Sequence, residues 1–160
     1  MDKIQWIRDL VLSEQQMEES GIVDMKAGFD PEQLLESQSL DFLTDLKAAF
    51  VESAAAFNQM KGSTLGQIKI YGISRTKADF MLFRNGFKLI FALKEPGLLS
   101  IRFQMAGTSL TPGPAPSNED LIQAHWGAFG DLIWQYEDLP VKNEYLVRYY
   151  LTRFIRESAK

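Results

Sequence analysis

The hydrophobic positions of the first 61 residues recur with the 3.6-residue period of an α-helix. In the N-terminal segment the residues close to this spacing are Ile4, Ile7, Leu10, Val11 and Met17. They predict a first helix over residues 2–19. After a short loop, Asp30 supplies an N-cap carboxylate and Pro31 the first helical position. A second helix is therefore predicted from Pro31 to Lys61, with a break near residues 37–39 and a new start at Ser39 as the alternative.

Beyond Gly62 the period of the pattern changes from 3.6 residues to two, which is typical of strands. Four segments rich in Ile, Phe and Tyr are predicted strands: residues 67–74, 77–84, 87–94 and 98–106. Asn85-Gly86 is the favoured pair for a two-residue type I′ hairpin, and Pro96-Gly97 fits the centre of a type II turn. The segments therefore form an antiparallel meander.

The C-terminal third begins with a Pro/Gly-rich loop at about residues 106–117. Apolar residues at helical spacing then predict a helix over residues 118–136; they are Ile122, Trp126, Phe129, Ile133 and Tyr136. A final helix is predicted from Pro140 to about Glu157. The predicted fold is a single α+β domain over residues 1–160, in which two N-terminal and two C-terminal helices flank a four-stranded antiparallel β-meander.

One residue in the second turn decides how the meander distributes its large side chains. If Pro96-Gly97 is a simple two-residue turn, Lys94 pairs with Leu99 and one set of apolar residues faces away from the core. That set, the predicted partner-binding surface, is Met81, Phe83, Ile90, Ile101, Phe103 and Met105. If the turn contains a bulge, Leu93 pairs with Leu99 and the large residues share one face. A sheet that is apolar on both faces is also explained by a layer of helices on each side.

The composition is that of an ordinary globular protein, with 46% hydrophobic and 24% charged residues. No apolar run approaches the roughly 18 residues that a membrane span requires. The acidic, amphipathic N-terminus lacks the features of a signal peptide, and the absence of cysteine fits a reducing compartment. We therefore expect a soluble, cytoplasmic protein.

The formal net charge of −4 conceals a strong segregation along the chain. Residues 1–60 carry a net charge of −8, residues 61–114 carry +6 and residues 115–160 carry −2. Such asymmetry attracts an anionic partner to the middle of the chain, or is neutralised when the acidic helices pack near the basic sheet. The second explanation is the simpler one.

Residues suited to catalysis are few. His125 is the only histidine and has no metal-binding or catalytic motif around it. Asp79, within a predicted strand, is either a buried acid with a shifted pKa or a partner in a cross-strand ion pair. No catalytic residue, metal site or cofactor is predicted.

The last predicted helix carries a stripe of basic and aromatic residues: Lys142, Tyr145, Tyr149, Arg153 and Arg156. Guanidinium groups bind phosphate or carboxylate through paired hydrogen bonds, and tyrosine stacks on bases, so the stripe is a candidate anion-binding surface. The simpler interpretation is a solvated helix face whose positive charge complements the helix dipole.

These observations leave three functional hypotheses. The leading one is a non-catalytic protein-protein interaction module, with self-association through an apolar sheet face or edge as one form of it. The second is a binder of nucleic acid or of a small anionic ligand through the last helix and the basic strands, although a pI near 5.1 opposes general nucleic-acid binding. The third is an enzyme that uses Asp79 or His125 beneath the loop at residues 107–117.

Overall fold

The computed structural model of the chain describes residues 4–73, 78–105 and 119–159. Within these ranges it contains three α-helices and one seven-stranded antiparallel sheet. The helices are α1 (Gln5–Ser20), α2 (Pro31–Lys61) and α3 (Asn143–Ser158). The strands are β1 (Lys69–Gly72), β2 (Phe80–Arg84), β3 (Phe87–Glu95), β4 (Leu98–Met105), β5 (Glu119–Trp126), β6 (Leu132–Tyr136) and β7 (Leu139–Pro140). The prediction of an α+β fold with an antiparallel sheet is confirmed.

Three strands lie where the sequence predicted helix and turn. The predicted helix over residues 118–136 is wrong, because β5 and β6 occupy this segment on either side of a short 3-10 helix at Ala128–Gly130. Phe129 and Gly130, at the turn between these strands, have φ angles of 57° and 87°, which no α-helix accommodates. The described part of the chain therefore has one C-terminal helix instead of two, and it begins at Asn143. The predicted Pro/Gly-rich loop lies outside the described residues.

The chain divides into two compact units, Met1–Ser37 and Gln38–Lys160, and the prediction of a single domain stays a prediction. In the first unit, α1 ends at Gly21, whose left-handed backbone (φ 73°) lets its N–H donate to the Met17 carbonyl at 2.9 Å. The carboxylate of Asp30 caps α2 as predicted, since Oδ1 accepts the N–H groups of Glu32 and Gln33 at 3.2 and 3.4 Å. No residue of α1 is buried.

In the second unit the seven strands follow one another in sequence order, so each strand pairs with its neighbour in the chain. The Asn85-Gly86 hairpin is confirmed. Both residues have positive φ angles, 50° and 84°, and Phe83 pairs with Lys88 as a two-residue type I′ turn requires.

The second turn contains the bulge. Leu93 pairs with Leu99 and Glu95 with Leu98, so the alternative pairing of Lys94 with Leu99 is wrong. The Leu93 N–H donates to Oδ1 of the buried Asp79 at 3.1 Å, which holds the strand at the irregular position.

Both helices of the second unit pack on the same face of the sheet, which we call the core face. From α2, Phe50 contacts the stacked rings of Phe80 and Phe91, with ring centroids 5.9 and 4.8 Å from its own. From α3, the ring edge of Tyr150 meets Phe91 at 6.1 Å. The bulged register is the one that this packing requires, because it places Leu99 and Ile101 in the core beside Phe91.

Candidate binding site and surfaces

A pocket of about 510 Å³ lies between α3 and the strands β5 to β7. We call it the tyrosine pocket, and its polar and aromatic lining consists of Asp120, Tyr136, Lys142, Tyr145, Tyr149 and Tyr150. Ile122 and Leu146, both buried, line it as well. Its volume is within the range of small-molecule sites, about 300–1,000 Å³.

The pocket is organised around a hydrogen bond between α3 and β5. Tyr150, 3% exposed, donates its hydroxyl to Oδ2 of Asp120 at 2.7 Å. Burial raises the pKa of Tyr150 well above its ordinary value, and the hydrogen bond to Asp120 and the charge of Asp120 raise it further. The charge of Asp120, with a smaller contribution from Glu137, raises the pKa of Tyr136. Both phenols are therefore neutral at physiological pH, next to a negative charge.

The carboxylate of Asp120 forms no ion pair with a lysine or arginine of the described residues. Lys142 lines the same pocket without pairing with it. Asp120 is partly buried and lies opposite the buried Ile101 of β4. The result is a negative charge at the boundary of the core.

A second groove, of about 620 Å³, follows the exposed side of α3 and shares Tyr145 and Tyr149 with the tyrosine pocket. Three arginines line it: Arg148, Arg153 and Arg156. The five residues of the predicted anion-binding stripe thus line two adjoining concavities. Arg148 was absent from the prediction, although its place on the same helix as Arg153 could have indicated it.

The three arginines of this groove differ in whether other side chains hold them in place. The Arg153 guanidinium lies 4.3 Å above the Phe103 ring centroid, and its Nε donates to Glu157 at 3.1 Å. Arg148 and Arg156 are exposed. They are the groups available to an anionic ligand.

The predicted partner-binding residues do not lie on one face of the sheet. Met81, Phe83 and Ile90 lie on the face opposite the core, which we call the outer face, and are half-buried. Ile101 and Phe103 lie on the core face, opposite Phe91 and Leu89. Met105 pairs with Phe87 through its backbone, and its side chain lies outside the described residues. The bulge is the physical reason for this division.

The outer face combines apolar side chains with positive charge. Its residues include Tyr71, Met81, Phe83, Ile90, Leu121 and Ile133, with the basic Lys69, Lys88 and Arg102. Lys94 pairs with Glu119 at 2.6 Å, and this contact, together with a hydrogen bond from Ser100, holds the pKa of Glu119 below its ordinary value. Among the basic residues of the strands, which were candidates for nucleic-acid binding, Arg84 is buried at 4% exposure.

Neither residue considered for catalysis lines these pockets. Asp79 is 2% exposed and fixes the bulge in β3. His125 is exposed on β5, opposite Ile133 of β6. The loop considered as a lid lies outside the described residues.

Comparisons with profiles of known protein families, with curated proteins and with solved structures gave no match to this chain. Within the described ranges, no helix has the length and apolar character needed to cross a membrane. In the same ranges, no three acidic or histidine side chains come together in a way that would hold a metal ion.

Proposed function

We propose that the chain is a non-catalytic protein-interaction module that self-associates through the outer face of its sheet. The observation that supports this most is that α2 and α3 both pack on the core face, so neither of them covers the outer face. Tyr71, Leu121 and Ile133 on that face are 45%, 41% and 37% exposed. Apolar side chains that remain exposed on one face of a sheet suit an interaction site.

The chemistry of the outer face defines its partner. Lys69, Lys88 and Arg102 lie among apolar side chains, so a complementary surface is both apolar and acidic. An amphipathic helix with carboxylates beside its apolar residues has this character.

The chain itself contains such a helix. Residues 1–37 carry nine acidic and three basic side chains. On α1, Ile7 and Val11 are 44% and 51% exposed, and Glu14 and Glu18 continue the same side of the helix at spacings of three and four residues. We therefore assign α1 of a second copy as the occupant of the outer face.

The length of α1 suits the width of the outer face. With 16 residues, α1 is about 24 Å long, which spans about five strands at roughly 4.8 Å each. In a reciprocal dimer the contact occurs twice, so each contact needs to bury only about half of the roughly 1,200–2,000 Å² of a specific interface. The helix and the sheet are large enough for that.

We expect the purified chain to be a dimer by light scattering, and Phe83→Ser to raise its dissociation constant at least tenfold (about 1.4 kcal/mol or more). Val11→Lys on α1 should do the same, because it places a positive charge in an apolar contact and opposite the basic residues of the outer face. Phe129→Ser is the matched control, since Phe129 is fully exposed in the turn between β5 and β6. Circular dichroism checks that each variant stays folded.

The reciprocal arrangement has a sharper test. A mixture of the Phe83→Ser and Val11→Lys variants retains one intact contact per pair, so the mixture should dimerise more tightly than either variant alone. A folded wild-type chain that is monomeric at all concentrations would contradict self-association. A dimer that both substitutions leave unchanged would place the interface elsewhere.

A second candidate function is binding of an anionic ligand in the groove along α3, favoured by the exposed Arg148 and Arg156. Titration with a labelled single-stranded oligonucleotide and with inorganic phosphate separates nucleic acid from a free anion. We expect affinity to fall steeply with salt and to fall further in Arg148→Ala and Arg156→Ala. An affinity that does not depend on salt excludes this function.

A further inference from the structure

We infer that the tyrosine pocket binds a trimethylammonium group, with Asp120 as its counter-ion and the tyrosine rings as its walls. This inference is independent of self-association, because the pocket lies between α3 and β5 to β7 on the core side of the sheet and uses no residue of the outer face.

The charge of Asp120 is not neutralised by another side chain of the pocket. A partly buried carboxylate loses part of its hydration, and it is costly unless a cation or several hydrogen-bond donors compensate it. Two phenols supply donors, Tyr150 at 2.7 Å and Tyr136 through a weaker contact, and both are neutral. None of the lysines and arginines in the described ranges forms an ion pair with this carboxylate. A bound cation would supply the missing charge.

Tyrosine rings surround that charge. Tyr145 and Tyr149, one helical turn apart on α3, are 59% and 57% exposed, and Tyr136 approaches from β6. The Tyr149 ring is held nearly perpendicular to that of the buried Tyr150, with centroids 4.9 Å apart. Aromatic faces attract cations, and enclosures of this kind recognise quaternary ammonium groups.

The size and apolar lining of the pocket favour an ammonium group that carries methyl substituents. A volume of about 510 Å³ is much larger than a bare ammonium ion requires, and Ile122, Val141 and Leu146 offer apolar contacts. An unsubstituted ammonium is a compact, strongly hydrated charge, which disfavours its transfer to such a site. Methyl groups reduce this hydration and fill the volume, so a trimethylated group fits better than a primary amine.

The charge of Lys142 distinguishes a cationic from an anionic ligand, because it has opposite effects on their binding. It repels a bound cation, so Lys142→Ala should tighten binding of a trimethylammonium ligand. If the pocket were an anion site, the same substitution would weaken binding.

The probes are choline, its neutral carbon isostere 3,3-dimethylbutanol, and a short peptide containing trimethyl-lysine, each titrated by calorimetry against the full chain. We expect choline to bind at least tenfold more tightly than the isostere. The peptide distinguishes a modified protein tail from a free small molecule: tighter binding than choline indicates the tail, and weaker binding the small molecule. Equal affinity for choline and the isostere would overturn the inference.

Variants at Asp120 and Tyr149 test the assignment of roles. Asp120→Asn should weaken choline binding at least tenfold, whereas Asp138→Asn, an exposed carboxylate outside the pocket, should leave it unchanged. Because Asp120→Asn alters the contact with Tyr150, the exposed Tyr149 provides a second test: Tyr149→Phe should retain binding and Tyr149→Leu should lose it. Unchanged affinity in both Asp120→Asn and Tyr149→Leu, or weaker binding in Lys142→Ala, would overturn the inference.

Discussion

Replacing Phe91 with alanine is expected to lower the free energy of unfolding by about 3–5 kcal/mol, the loss typical of a buried phenylalanine truncated in a core. Phe91 is fully buried in β3 and joins both helices to the sheet. Its ring stacks on Phe80 with centroids 4.7 Å apart, contacts Phe50 of α2 at 4.8 Å and meets Tyr150 of α3 at 6.1 Å. The truncation removes apolar contacts from both helices and leaves a cavity between them.

Urea unfolding measures this change, with the buried Trp134 as a fluorescent probe because its ring stacks on Phe42 of α2 at 4.2 Å. Phe129→Ala is the control for the loss of a phenyl ring without the loss of packing, and we expect it to change stability by less than about 0.5 kcal/mol. A loss below about 1 kcal/mol for Phe91→Ala would mean that this aromatic cluster is not the centre of the core.

The meander from β2 to β4 could be predicted because its signals are local. Asn85-Gly86 sets the first hairpin, since both residues adopt the left-handed backbone that a type I′ turn needs. The second register depends on one bulged residue, and the contact that fixes it joins Asp79 to Leu93, 14 residues apart. A turn motif alone leaves such a choice open, so the predicted surface combined residues from both faces.

The strands β5 and β6 were mistaken for a helix because a spacing of three to four residues also arises by coincidence. In the structure Ile122 faces the core, Ile133 lies on the outer face, and Phe129 is exposed in the turn. The turn glycines were the contrary signal: a Cβ on Gly127 would lie 2.5 Å from Oδ1 of Asp131. Pairing with β4, rather than local propensity, decides this segment.

The tyrosine pocket could likewise be predicted only in part from local sequence patterns. The stripe on α3 could be predicted because helical periodicity places Tyr145 and Tyr149 together. Asp120 fell within the wrongly predicted helix over residues 118–136, and its partner Tyr150 is 30 residues further along the chain. Only the antiparallel order of β4, β5 and β6, with α3 packed on the core face, brings the carboxylate to the rings.

Replacing Arg84 with alanine is expected to cost about 2–4 kcal/mol of stability, because hydrogen bonds of a buried charged group are lost together and leave carbonyl groups without donors. Arg84 is 4% exposed at the end of β2. Its Nε donates to the Gly66 carbonyl at 2.7 Å, and Nη1 donates to the Ile155 carbonyl and the Ser158 hydroxyl at 3.0 and 3.2 Å. The guanidinium also lies 5.2 Å from the Phe57 ring centroid, a cation–π contact with α2.

Because Arg84 contacts the end of α3, its replacement should destabilise that helix end in addition to lowering the stability of the whole fold. The last carbonyl groups of a helix carry partial negative charge and lack intrahelical donors, so a cation there stabilises the helix end. Amide hydrogen exchange in Arg84→Ala should therefore speed up more in the last turn of α3 than in its first turn.

Arg84→Lys keeps the charge but not the branched donor geometry, so its loss of stability should be intermediate. Arg148→Ala, an exposed arginine on α3, should change stability by less than about 0.5 kcal/mol. Equal stability losses for Arg84→Ala and Arg148→Ala would show that the buried guanidinium is not what joins the end of α3 to the sheet.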